Sequence, residues 1–208
     1  MRLYEKPGWG SAIVDVQLAF YGMPVELVTV GDLFHDEAAR QSLAQVNPMV
    51  QVPTLVLSDG QVMTESAAIT LLLADMAGTD ALVPGPGAVE RAQFLRWLVY
   101  LVATIYPGFY YGDVPERFVA KDAADDFVAR VVEHRKSTWL VMEADAAGRG
   151  GPWFMGPRMT AIDVYLGCMV HWRPGEDWFR AETPNLWRAA EAIAALPALT
   201  AVYQRNFG

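Results

Sequence analysis

The stretch from Asn47 to Ile69, NPMVQVPTLVLSDGQVMTESAAI, limits the fold more than any other part of the chain. Two apolar runs, residues 54–57 and 61–63, flank Ser58-Asp59-Gly60, and an Asp-Gly step supplies the positive backbone angles of a tight hairpin turn. Pro53 stands at the mouth of the first run. A proline there cannot donate to a ladder and is a candidate for a cis bond fixing a sharp turn, or simply for the trans start of an edge strand. Thr64-Glu65-Ser66 then opens an Ala, Ile and Leu run to Met76, closed by Gly78, which reads as a helix with stop signals at both ends.

Upstream, residues 1–4 read as a strand, and Pro7, Gly8 and Gly10 as a tight turn over 6–10. A helix follows, with Ser11 as its N-cap, Ile13, Val16 and Phe20 on one face, and Gly22 at its left-handed end. Val25–Val30 is a β-branched strand, and 36–46 has helical spacing. The order is β-α-β-α-β-β-α. Pro84, Gly85, Pro86 and Gly87 mark a linker over 81–88, separating a domain at 1–80 from one at 89–208. The second domain reads as all helical: 89–112 with a kink at Pro107, 121–146, 160–173, 184–195 and 197–206. The two parts also differ in charge. Residues 1–80 carry Arg2, Lys6 and Arg40 against ten acids, and the remainder is nearly balanced.

With a net charge of −8 the chain lacks the basic surface by which a general nucleic-acid binder displaces counterions, so small molecules or proteins are the expected partners. Cys168, the single cysteine, permits no internal disulfide, no CxxC redox pair and no zinc cluster, which suits a reducing, cytoplasmic setting. No run has signal-peptide character or the roughly 20 apolar residues of a membrane span, and no metal-ligand spacing occurs.

A cis Val52-Pro53 bond would leave the Val52 backbone facing outward, where an extended peptide-like ligand could pair as one more strand. Glu65 and Ser66 open a helix, where unpaired amides and the dipole attract a carboxylate, Ser66 adds a donor and Glu65 can accept from an ammonium group. Capping without a ligand explains the same pair. The joint pattern NPxxQVPTL, then DG, then TESAAI, after β-α-β and before a proline-containing linker and helices, resembles the cytosolic glutathione transferases. The resemblance implies a thioredoxin-like α/β N-terminal domain and an all-α C-terminal helical bundle. It also implies a homodimer, glutathione as co-substrate and no metal. Carried over, Val52, beside Pro53, pairs with the cysteinyl unit of glutathione, Glu65 and Ser66 hold its γ-glutamyl end with Gln51 nearby, and His35 lies near its glycine carboxylate. Met159-Thr160-Ala161-Ile162-Asp163 resembles the family's capping box, a structural device.

The spacing LYxxPGxxS most resembles the bacterial beta class, but Gly10 stands where that class has its cysteine. A free thiol has a pKa of about 8.5, and lowering it by about two units takes roughly 2.7 kcal/mol of preferential thiolate stabilisation. Ser11 is the first candidate donor, or else an ordinary N-cap. Tyr4 is the second, or else core. In RWLVYLVATIYPGFYY, where Trp97 keeps the beta-class register, Tyr106-Pro107 replaces a His-Lys pair. Tyr106, Tyr110 and Tyr111 become candidates for an apolar acceptor pocket, or else core or dimer contacts, Trp9 either stacks over the site or covers the domain junction, and Phe109 reads as core. Two functions follow: conjugation of the glutathione thiolate to an apolar electrophile, or a non-catalytic protein binding glutathione or an apolar ligand.

Overall fold

Strand β1 (Arg2–Glu5) lies at the middle of a four-stranded sheet in the order β2-β1-β3-β4 in the computed structural model, which describes residues 1–208. It pairs in parallel with β2 (Glu26–Thr29), Leu3 opposite Leu27, and antiparallel with β3 (Thr54–Val56), Tyr4 opposite Thr54. The hairpin expected at Ser58-Asp59-Gly60 joins β3 to β4 (Val62–Met63), Leu55 opposite Met63, with Gly60 at φ 88°. Helices α1 (Ser11–Phe20), α2 (Glu37–Ala44) and α3 (Ser66–Ala77) complete the order β-α-β-α-β-β-α. Gly22 (φ 63°) and Gly78 (φ 61°) follow α1 and α3 in the left-handed conformation that glycine adopts without a Cβ penalty.

Leu3 and Leu55 from the sheet, Val14 and Leu18 from α1, and Ile69 and Leu73 from α3 form one fully buried cluster. Each contributes about 1.5–3 kcal/mol by leaving water. Between α1 and α3 lies a buried polar link: Gln17 Nε2 donates to Thr70 Oγ1 (3.0 Å), which donates to the Ser66 carbonyl (2.8 Å).

The chain divides into two units, Met1–Val83 with Ile193–Gly208, and Pro84–Ala192. The first division falls inside the 81–88 linker. The end of the chain differs from the expected 89–208 domain, because α10 (Thr200–Phe207) packs against α1 and belongs with the first unit. Polar pairing holds it there: buried Asp15 accepts from Arg205 Nη2 (2.8 and 2.9 Å) and from Asn206 Nδ2 (3.0 Å).

In the helical unit the expected 89–112 helix is α4 (Arg91–Tyr100), a π-helical turn (Leu101–Ile105) and α5 (Pro107–Asp113). Pro107 has no N–H to donate back along the helix, and the register widens just before it, with Tyr106 N donating to Leu101 O at 2.8 Å. Helix α6 (Ala124–Ala147) and α7 (Ala161–Met169) follow. The expected 160–173 helix stops at Met169, ahead of the cis Arg173-Pro174 bond and Gly175 at φ 102°. Beyond that turn lies α8 (Glu176–Glu182), which the periodicity did not show, and then α9 (Pro184–Ala194).

The capping box at α7 is present. Asp163 Oδ2 accepts from Thr160 N at 2.7 Å and Oδ1 from Phe154 N at 2.8 Å. Trp97, fully buried, meets Tyr100 and Phe154 edge-on at 5.1 and 5.4 Å.

Candidate functional site

The sheet register brings the sequence candidates of the first unit to one edge. Because β1 and β2 run in parallel and β4 runs the same way through β3, the ends of β1, β2 and β4 and the beginning of β3 lie together. From that edge leave the loop to Ser11, the loop to His35, the Val52-Pro53 step and the Glu65-Ser66 helix start.

Val52-Pro53 is cis, and no hydrogen bond within the chain engages the Val52 backbone. The step is held from behind. Asn47, buried, donates through Nδ2 to Gln51 O (3.1 Å) and Thr54 Oγ1 (2.9 Å), and Thr54 Oγ1 donates to the same Gln51 carbonyl (2.7 Å). The Gln51 side chain is exposed. Glu65 adopts φ 61°, ψ 103°, a conformation that costs a non-glycine residue about 1–3 kcal/mol and persists where surroundings impose it. It precedes α3, whose start carries no side-chain cap, with Ser66 buried in the first turn.

Ser11 differs from its expected part. Gly10 is the N-cap and Ser11 the first helical residue, fully buried. Its Oγ accepts from Lys6 N at 3.0 Å and donates to Lys6 O at 3.1 Å, so the hydroxyl closes the loop against Lys6. Trp9 stands on that loop, its ring 4.7 Å from Phe34 on the loop after β2, with Lys6 Nζ 5.9 Å from the indole. His35 projects into solvent, and its Nδ1 lies 2.9 Å from Asp32 Oδ2. That bond and the Phe34 amide hold the Asp32 carboxyl below the usual range. Tyr4 lies within β1, half-buried, between Val28 and Thr54.

In the helical unit Tyr106, Tyr110 and Tyr111 point to different neighbours. Tyr106 meets Phe109 and Trp172 edge-on, Tyr110 accepts from Arg117 Nη1, and Tyr111 packs on Phe118 at 4.9 Å. Phe109 is buried, as expected. Of the three tyrosines, Tyr111 lines an open-sided cavity of about 380 Å³ with Phe127, Val131, His134 and Arg135. Arg135, 2% exposed, donates Nη1 to Gly108 O at 2.6 Å and covers the Phe109 ring at 4.1 Å. Burial, with Arg173 nearby, pulls its guanidinium down to about 10 against the pull of Asp113.

Sequence reasoning passed over Asn47, Thr54, Asp15, Asn206 and Arg135. Arg135 had a signal: it occupies an apolar stripe with Val131, Thr138, Trp139 and Met142, where a charge at helical spacing marks a buried ion.

Residues 11–76 match the family model for the glutathione S-transferase N-terminal domain. The GST-like protein YncG of Escherichia coli K12, itself uncharacterised, is 38% identical over 206 residues, 99% of this chain and 98% of that protein. A sphingomonad glutathione S-transferase complexed with glutathione is 30% identical with a TM-score of 0.80, covering 98% of both chains. A bacterial beta-class glutathione S-transferase of Sphingomonas chungbukensis is 25% identical with a TM-score of 0.78, covering 100% of this chain and 99% of that one.

Proposed function

The chain belongs to the glutathione S-transferase family and is a glutathione S-transferase-like enzyme, and we propose that it joins the thiol sulfur of glutathione to an apolar electrophile. The observation that carries this reading is the sheet edge where the unengaged Val52 backbone, positive-φ Glu65 and the side-chain-uncapped starts of α1 and α3 lie together. The cysteinyl unit pairs with Val52 beside Pro53 as an added strand. The γ-glutamyl carboxylate takes the α3 amides and the Ser66 hydroxyl, its ammonium group meets Glu65, Gln51 stands alongside, and His35 faces the glycine carboxylate.

The thiol is activated at the start of α1, where the Gly10 and Ser11 amides and the helix dipole favour the thiolate over the thiol. Ser11 acts by holding the loop against Lys6, which keeps those amides in place. The thiol proton leaves to solvent, a carbon–sulfur bond forms at the electrophilic carbon, and that carbon's leaving group departs with the electron pair. Trp9, backed by Phe34, offers an aromatic face to an apolar acceptor. Within the helical unit, Tyr111 beside Phe127 and Val131 is the tyrosine that lines a cavity. The setting we propose is the cytoplasm and detoxification, with the protein a homodimer.

Calorimetric titration with glutathione, with ultraviolet difference absorbance of the bound thiolate from about pH 5 to pH 9, tests the reading. The expected result is binding with a thiolate pKa about two units below that of the free thiol, most of the shift being lost in Ser11→Ala. Binding with no shift would make the protein a carrier rather than a transferase, and no binding would refute the site.

A further inference from the structure

The loop from Lys6 to Gly10 is tied down twice. From inside, the Ser11 hydroxyl bridges both backbone groups of Lys6. From outside, Gly8 N donates to Asn206 Oδ1 at 3.2 Å, across 198 positions of sequence. Gly8 has φ 76°, and a Cβ on it would lie 3.2 Å from the Asn206 carbonyl, so the loop approaches α10 about as closely as glycine permits.

Asn206, 9% exposed, works in three directions at once. Its Oδ1 takes the loop amide, and its Nδ2 donates to Asp15 Oδ2 on α1 (3.0 Å) and to Val202 O on α10 (2.9 Å). Asp15, 3% exposed, is filled further by Arg205. An amide side chain of this length supplies an acceptor to the loop and a donor to a carboxylate together. An aspartate would set like charge against Asp15, and a leucine would fill the space with neither.

We propose that Asn206 is a positioning residue for thiol activation, holding the loop so that the amides at the start of α1 meet the sulfur of glutathione without itself touching the ligand. This rests on the glutathione site proposed above. The thiolate is stabilised only while those amides keep their aim, and displacement of such groups by a fraction of an ångström is felt in both affinity and reactivity.

Four proteins decide the matter: wild type, Asn206→Leu, Leu199→Ala, and the double variant Asp15→Asn with Asn206→Asp. Leu199 is fully buried in the turn before α10 and outside the polar cluster, so its truncation loosens the same segment and leaves the Gly8 bond in place. The double variant restores an acceptor for Gly8 N and an amide opposite it, and gives up the Nδ2 bond to Val202 O on α10 itself. Each is measured for glutathione affinity, for the pKa of the bound thiolate and for Tm.

Asn206→Leu is expected to weaken glutathione about tenfold and to raise the thiolate pKa by about one unit. Leu199→Ala lowers Tm and leaves both unchanged, and the double variant recovers most of both. If wild type binds glutathione but Asn206→Leu matches it, or Leu199→Ala shifts the thiolate equally, or the double variant recovers nothing, the positioning role is overturned and the site stands. If wild type fails to bind, the site itself fails and Asn206's role falls with it.

Discussion

At the start of α7 the first turn is met from within the chain: the Thr160–Asp163 box closes on itself and the same carboxylate takes the Phe154 amide. At the starts of α1 and α3 no side chain caps the helix, and both starts lie at the edge where β1 and β4 end. The electrostatics are alike in all three, because orphan amides and a positive dipole end want an acceptor. In α7 the acceptor is built in and buried, and the helix start is structural. In α1 the Ala12 amide donates to the Trp9 carbonyl at 2.9 Å, and neither α1 nor α3 carries a side-chain acceptor at its cap, which is the difference the proposed glutathione site draws on.

Three substitutions test that contrast. The largest effect belongs to Asp163→Asn, which turns an amide donor toward one of two buried N–H groups and is expected to cost about 3 kcal/mol in denaturant unfolding. Its pH dependence sharpens the point. Burial pushes the Asp163 carboxyl up to about 7 against the pull of the Phe154 and Thr160 amides. The folded state therefore keeps this proton over a range, about pH 4 to 7, in which the unfolded chain has released it, and the group's contribution to stability falls as pH rises through that window. The stability gap between wild type and Asp163→Asn should widen as the pH is lowered from about 7 to 5. A gap that narrows would show a carboxylate fully ionised in its pocket.

A smaller effect is expected at α3. Ser66→Ala should weaken glutathione about tenfold, equivalent to about 1.4 kcal/mol, while moving the unfolding midpoint far less than Asp163→Asn does. A Ser66 variant that loses stability and keeps its affinity would make α3 another α7. Smallest is His35→Ala. The side chain is 83% exposed and paired only at the surface, so stability should stay within about 0.5 kcal/mol and glutathione affinity fall about twofold or less. A tenfold loss in titration would place His35 among the principal ligand contacts.

Much of this contrast was legible in the sequence, for a local reason. The Asp-Gly hairpin, the glycines after α1 and α3, the proline at the mouth of β3 and the Thr160–Asp163 box each depend on groups within a few residues of one another. Ser11 shows where local reading stops. A serine ahead of an apolar run is an N-cap by rule, and it became the first helical residue because the loop's own backbone, at Lys6, offered both a donor and an acceptor. Residues 160–173 were read through Met169 as one helix because apolar spacing continues past the point where the chain turns.

The order of elements in the first unit and the place of the hairpin follow from the sequence by itself, since propensity, turn chemistry and periodicity are short-range and additive along the chain, and the resemblance adds the candidates at Val52, Glu65 and Ser66. That α10 belongs with the first unit, that Arg135 is buried over Phe109 and that Asn206 tethers Gly8 were decided by the tertiary structure. Each is a polar side chain whose partner lies on another element. Whether such a group is a solvated end or a buried link is settled only when packing excludes water and leaves it that one partner.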